Sequence, residues 1–495
     1  MANILFPKAV KISEILSSEF KSISPSNYKR IGIENSSVIS IRDLLNTDSP
    51  FVRGSEQGSA SYVEHSSYSF IRNSNVNKID YTVDQENAIC IKPSVFSEEK
   101  EIISGDILLS TDANIGDSSI FIENDISANR CSISSGLVKL NFKNQVDNFF
   151  VLAMLRDSYF LEQIDSMTPK GSTIRHSGDR FLDCLIPLPE NEWVINFISN
   201  LSKNIAYMER ASLEKLSKIF SIYDDEFKDV PVTKSATRIS ELTNFGRIDS
   251  GFYSDEVKEF FKKLKKYGDT SLMDLGYKAR RGPSLQKRDL GRSIQTDIYN
   301  ENYYQLIYPS DISDKGYINK VTYLGASGKV WFLGEKDILF SSEGNVGKTF
   351  AVCDNSIRFT TNIHGMIITP LESTVSLNNT TLIATFLSYM KHKGIIDKLS
   401  VGGQGGSFAL QYWDILKFPL FSDSLKNSIL KLYHNPIEID IFSFSEEDIA
   451  FLGIFEINFY RSRCKAMLEI LISDLKNDSV KEKEYYASYF QSSKS

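Results

Sequence analysis

Gly105-Asp106-Ile107-Leu108-Leu109-Ser110, followed by Asn114-Ile115-Gly116, is written again 231 positions later as Lys336-Asp337-Ile338-Leu339-Phe340-Ser341 followed by Asn345-Val346-Gly347. An acid, a short apolar run, a hydroxyl and a closing glycine describe a strand that ends in a tight turn. Other landmarks recur outward from it in the same order. Phe70-Ile71-Arg72-Asn73-Ser74-Asn75-Val76 parallels Leu306-Ile307-Tyr308-Pro309-Ser310-Asp311-Ile312. Upstream, Phe20, Ile23 and Tyr28 return at unchanged spacing as Phe245, Ile248 and Tyr253. Downstream, Lys170-Gly171-Ser172-Thr173 leads to Ile186-Pro187-Leu188-Pro189, and Gly405-Gly406-Ser407-Phe408 leads to Phe418-Pro419-Leu420. One such match arises easily by chance. Four in one order, at an offset of about 230 residues, mark a duplication whose copies are each a domain rather than a solenoid turn.

Within a copy the pattern is short strands, such as 106–110, 119–122 and 137–142, between Gly, Asn and Asp turns. A helical stretch follows at 148–163 and is echoed at 381–398, so each copy reads as α+β. After the first copy the period changes. From Glu190 to Lys228, Val194, Ile198, Leu201, Ile205, Met208, Leu216, Ile219 and Tyr223 form one apolar seam, with Ser212 interrupting it. A helix of about 35 residues is roughly 50 Å long, and its seam needs another long helix. Ser445, Glu446, Glu447 and Asp448 open a capping pattern, and Phe451, Ile454, Phe455, Phe459, Met467, Leu471 and Leu475 supply a second apolar face. The expectation is α+β: two homologous domains, 1–189 and 229–421, separated by long antiparallel helices, 190–228 and part of 422–495. The alternative is that each helix packs only on its own domain.

Composition sets bounds. The chain has 495 residues, of which 41% are hydrophobic and 24% charged, as in ordinary globular protein. Net charge is −7, so any nucleic-acid contact must come from local basic patches. The five cysteines, Cys90, Cys131, Cys184, Cys353 and Cys464, form no CxxC pair and read as reduced thiols of a cytoplasmic protein. With five scattered histidines, no zinc site is expected. No secretory signal or membrane-length apolar run is read.

Recognisable catalytic chemistry is missing. Gly344-Asn345-Val346-Gly347-Lys348-Thr349 imitates the end of a P-loop, but Ser342 stands where the motif needs glycine, and Phe350-Ala351-Val352 reads as strand rather than helix. Lys348 is therefore a candidate DNA contact. No Gly-rich cofactor fingerprint follows a strand, and no nucleophile turn is present. No cofactor or metal is expected.

The duplicated plan resembles the specificity subunit of type I restriction–modification systems. The carrying motifs are the strand-turn 105–116, Gly171-Ser172-Thr173-Ile174, Ile186-Pro187-Leu188-Pro189 and the helix behind it. The resemblance spans nearly the whole chain. It implies a non-catalytic subunit with two target-recognition domains, each reading half of a split DNA site, and helices that set the spacing and dock methyltransferase subunits. Residues 17–189 would read one half-site and 238–421 the other, with 190–228 and 445–476 as spacer and docking helices. The implied partners are double-stranded DNA, methyltransferase subunits (two are expected) and, where the complex restricts, restriction subunits. Two departures stand out: Phe418-Pro419-Leu420-Phe421 replaces Ile-Pro-Leu-Pro, and 435–445 is inserted before the last helix. The competing readings are a stand-alone nuclease or methyltransferase with unrecognised motifs, and a protein-interaction scaffold.

Phosphate contacts give affinity and base edges give the reading. Lys278, Arg280, Arg281, Gln286, Lys287, Arg288 and Arg292 form the densest basic stretch, read as a Gly/Pro-containing loop that could grip guanine or adenine. Its plainer reading is a solvated surface loop. The matching place in the first copy, Arg53 with Arg72 downstream, is less basic, so the copies should read different sequences. A second surface is Lys170, Ser172, Thr173 and Arg175, with Gln404 and Ser407 as counterparts; its plainer reading is a turn. His176 is read as a surface or core residue. Lys262, Lys263, Lys265 and Lys266 are read as the solvated face of a short helix.

Overall fold

A computed structural model describes residues 3–18, 21–123, 129–171, 173–228, 247–402, 406–440 and 445–486. They fall into two compact units. The first has bounds Met1–Arg210, Ile439–Glu446 and Arg461–Ser495; the second has Ala211–Glu438 and Glu447–Tyr460.

The first unit holds a four-stranded antiparallel sheet in the order Phe51–Arg53, Leu137–Leu140, Ile107–Ser110, Ser118–Ile120. The second unit repeats it as Tyr277–Arg281, Gly365–Pro370, Ile338–Ser341, Thr349–Ala351. A second sheet in each unit contains a parallel pair: Tyr68–Ile71 with Arg130–Ile133, and Tyr304–Leu306 with Phe359–Thr360. The turns agree in detail. The Gly116 amide donates to Ser110 and the Gly347 amide to Ser341, both at 2.9 Å, and both glycines have positive φ, 90° and 97°. A Cβ on Gly116 would meet Leu161 at 2.9 Å, and one on Gly347 would meet Ile396 at 2.6 Å, so glycine is needed for packing as well as for the turn. The second sheets differ at their edges: Ser293–Thr296 is a strand where the first unit has the single bridge Tyr62–Ile91, and Glu101–Ile102 is a strand where the second unit has the single bridge Leu333–Phe359.

The expected strands lie at Ile107–Ser110, Ser118–Ile120 and Leu137–Leu140. The helical stretch is two helices in each unit. Asn148–Leu155 gives way to Ser158–Met167 where the Asp157 carboxylate caps the Tyr159 amide at 2.8 Å. Leu377–His392 gives way to Ile395–Leu399 at Gly394, whose φ is 69°.

The seam helix spans Glu192–Phe227, with residues to Arg210 in the first unit and from Ala211 in the second. Every apolar seam position is buried. Ser212 fits because its hydroxyl donates to the Lys315 carbonyl at 2.7 Å. The C-terminal apolar face, expected as one run, is two helices, Glu446–Phe451 and Ile454–Lys476. They break at Gly453, where a Cβ would lie 2.7 Å from both the Asn435 amide nitrogen and the His434 Cα. The break turns Phe451 out to solvent and leaves Phe459 half-buried, against expectation. Within the first unit the helices run antiparallel. Trp193, at the start of one, meets Tyr486 beyond the end of the other (ring centroids 6.3 Å apart), while Glu209 bonds Arg461 at 2.7 Å.

Candidate nucleic-acid interface

Each unit ends its edge strand on an arginine followed by a glycine. In the first unit Arg53 pairs with Val138, and the Gly54 amide donates to the Leu137 carbonyl at 3.1 Å. In the second, Arg281 pairs with Met366, and the Gly282 amide donates to the Gly365 carbonyl at 2.8 Å. Neither glycine has room for a side chain: a Cβ would sit 2.1 Å from the Ser134 carbonyl oxygen or 2.1 Å from that of Asn362. The backbone crowding fixes where the strand stops and so where the arginine sits.

The arginine's first partner is a hydroxyl just beyond the duplicated strand. Arg53 donates to Thr111 Oγ1 at 2.9 Å, and Arg281 to Ser342 Oγ at 3.3 Å. Thr111 and Ser342 are themselves held alike. Their carbonyls accept the Ser177 and Phe408 amides, both at 2.8 Å. An acid follows in each unit, Asp112 or Glu343. Arg53 takes its carboxylate elsewhere, from Asp179 at 2.8 Å, whereas Arg281 takes Glu343 at 2.8 Å. Asp112 holds the His176 ring Nδ1 at 2.9 Å, and Glu343 holds that of His364. The hydrogen bond from His364 draws the Glu343 carboxyl below its ordinary value, partial burial opposes this, and the Arg281 bond adds to the lowering.

The stretch read as a loop is largely regular. Tyr277–Arg281 is strand, Lys287–Leu290 a single helical turn and Ser293–Thr296 strand. Alternation along a strand sends Lys278 and Arg280 to one face and Arg281 to the other. The Arg280 guanidinium lies over the Trp331 ring, 4.0 Å from its centroid, a cation–π contact. Lys278, Gln286, Lys287, Arg288 and Arg292 are exposed. Lys348 is followed by a strand, as expected, but its side chain is 9% exposed and paired with Asp314 at 3.0 Å.

In the first unit Arg72 is exposed before a short 3-10 turn, Asn73–Asn75, and Thr173 is exposed. Lys170 and Arg175 converge on Asp165, at 2.6 and 2.9 Å, where Lys29 joins them at 3.0 Å. Burial would raise the Asp165 carboxyl, but the bonds from Lys170, Lys29 and Arg175 outweigh it and hold the group far below the usual carboxylate range. Ser172 and Gln404 lie outside the described residues, as do Phe20 and Phe245. Ser407 is half-buried and sits at the counterpart of His176, because Phe408 and Ser177 make the same bond; the sequence echo had matched it to Ser172, four residues away.

Sequence reasoning missed Thr111, Ser342, Asp112, Glu343, His364, Trp331 and the Asp165 hub. Asp112 and Glu343 had a signal, since they follow the duplicated strand at the same offset of 231. His364 and Trp331 had none. Among the described residues no group of His, Cys, Asp and Glu is placed to hold a metal ion, and no helix is long and apolar enough to cross a membrane.

No family model and no curated protein matches the sequence. Solved structures do. The HsdS subunit from Thermoanaerobacter tengcongensis is 11% identical, covers 90% of this chain and 97% of its own, and has a TM-score of 0.27. A structure described under complex assembly and conformational transition of the type I R-M system is 10% identical, covers 90% and 98%, and has a TM-score of 0.28. The chain is likewise similar to the Type-I restriction-modification system S subunit from M. genitalium, at 13% identity, with 90% of this chain and 96% of that one covered and a TM-score of 0.39.

Proposed function

We propose that this chain is a sequence-specific DNA-recognition subunit of the type I restriction–modification kind, cytoplasmic and without catalysis of its own. Each unit reads one half of a bipartite, asymmetric site. The functional division falls near 189, 228 and 421, and the long helices dock methyltransferase subunits. The observation that carries the reading is the arginine–hydroxyl frame built twice at the end of an edge strand, in two surroundings that differ in basic residues. A frame made twice with changed neighbours suits two readers of different base sequences. Arginine's fixed fork suits guanine, and the exposed lysines and arginines beside it in the second unit suit phosphate.

The test is DNA binding by the chain together with the methyltransferase encoded beside it. A split motif should appear in the methylated DNA of a host carrying both genes. Affinity should fall steeply with salt. Arg281→Ala should cost about 1–3 kcal/mol on the preferred site and relax one position of the motif. Methyl transfer or cleavage by the purified chain alone would favour the enzyme reading. Absence of any DNA binding, with protein partners captured instead, would favour the scaffold.

A further inference from the structure

The chain has five histidines, and two of them stand on equivalent carboxylates. Asp112 and Glu343 follow Thr111 and Ser342, which occupy matching places. The histidines do not match. His176 precedes Ser177, whose amide bonds Thr111; the second unit has Ser407 there. His364 offers its carbonyl to the Ser342 amide at 3.3 Å; the first unit offers that of Gly136 to Thr111 at 2.9 Å. Duplication cannot have carried one histidine into both units. The pair has been assembled from two different loops onto one acidic position, beside the same arginine frame.

The chemistry is alike in both. The carboxylate occupies Nδ1, which fixes the ring and leaves Nε2, on its far edge, for a ligand. The side chains are 63% and 52% exposed. In the second unit Glu343 faces both His364 and Arg281, so one carboxylate serves two cations when the imidazole is protonated. In the first unit Asp112 faces His176, while Arg53 is satisfied by Asp179 and the adjoining Arg175 by Asp165.

We infer that His176 and His364 are further DNA-contacting residues, one per unit, each presented by its carboxylate to an acceptor atom of the duplex. The inference rests on the DNA-recognition reading. It makes binding proton-linked, because an acceptor on DNA favours the protonated ring over the neutral one.

The experiment uses the full chain in its methyltransferase complex, with His176→Gln and His364→Gln separately. Affinity for the preferred site is measured at pH 6 and pH 8, and proton uptake by calorimetry in buffers of different ionisation enthalpy. Each variant should lose about tenfold at pH 6, less at pH 8, and bind with less proton uptake than the native complex. A loss equal on all sequences, with a shallower salt slope, identifies a phosphate; a loss confined to one motif position identifies a base edge. Native affinity, pH profile and proton uptake in both variants, with the fold intact, would overturn the inference and leave the DNA-recognition reading standing. A native complex that binds no DNA at either pH overturns both.

Discussion

At the scale of single residues, the recognition frame depends on two glycines as much as on its arginines. A Cβ at Gly54 or Gly282 would fall 2.1 Å from a carbonyl oxygen, on backbone that cannot rotate aside. Gly282→Ala should therefore cost at least ~2 kcal/mol of stability in denaturant titration, whereas Gly344→Ala, where a Cβ meets nothing, carries only the strain of its positive φ. Equal losses would show that the edge strand yields instead. Asp165 is the other pivotal residue. Its acid is depressed in the folded chain, so its contribution to stability is present above the ordinary carboxylate range and fades as pH falls. Asp165→Asn should lower the melting temperature at pH 7, and by progressively less as the pH falls below the ordinary carboxylate range; because Asp165 is partly exposed the loss should be modest. Residues of this kind are the hardest to read in a sequence. The glycine-rich echo matched Ser172 to Ser407 by composition, and only the Ser177 and Phe408 amide bonds set the true register.

At the scale of elements, the antiparallel helices of the first unit carry a buried ion pair. Glu209 and Arg461 have side chains 0% and 1% exposed. Glu209 Oε1 accepts from Arg461 Nε and Nη2, at 2.9 and 2.7 Å, while Oε2 accepts the Tyr81 and Thr82 amides at 2.7 and 3.2 Å. Removing one partner strands the other charge, so Arg461→Met should destabilise by about 3–5 kcal/mol in equilibrium unfolding. Lys465 lies nearby, donating to the Ile79 carbonyl at 3.0 Å. Burial, reinforced by the Arg461 charge, pushes its amine down from 10.5 to about 7. The unfolded chain then holds more protons than the folded one between those values, so stability rises with pH across that window. Lys465→Met should raise the melting temperature more at pH 6 than at pH 9; a gain independent of pH would refute the depressed amine. The seam of this helix was legible because a 3.6-residue period survives in sequence, and even Ser212 fell at its proper place. Its ion pair was not, since Glu209 and Arg461 are 252 positions apart and nothing local marks their meeting. The exposure of Phe451 was missed for a similar reason: Gly453 is required by contact with His434 and Asn435, which the apolar pattern does not encode.

At the scale of the whole molecule, the duplication was readable because strand motifs and turn glycines constrain sequence at fixed spacing, while the strand Ser293–Thr296 was not, since the first unit holds only the single bridge Tyr62–Ile91 in its place. The same duplication yields the most decisive functional prediction. If each unit reads its own half-site, Arg53 and Arg281 act on different bases, although they occupy one position in the fold. Arg53→Ala should relax one half of the motif and leave the other at native stringency, and Arg281→Ala should do the reverse. Neither side chain shares a partner with the other: Arg53 is held by Thr111 and Asp179, Arg281 by Ser342 and Glu343. The two losses in binding free energy, each about 1–3 kcal/mol, should then add to within roughly 0.5 kcal/mol in the double variant. Binding to a library randomised in both halves measures all three chains at once. Relaxation of both halves by either single variant would mean that the arginines support a shared surface rather than two separate readings, and the two-reader account would fail on its central claim.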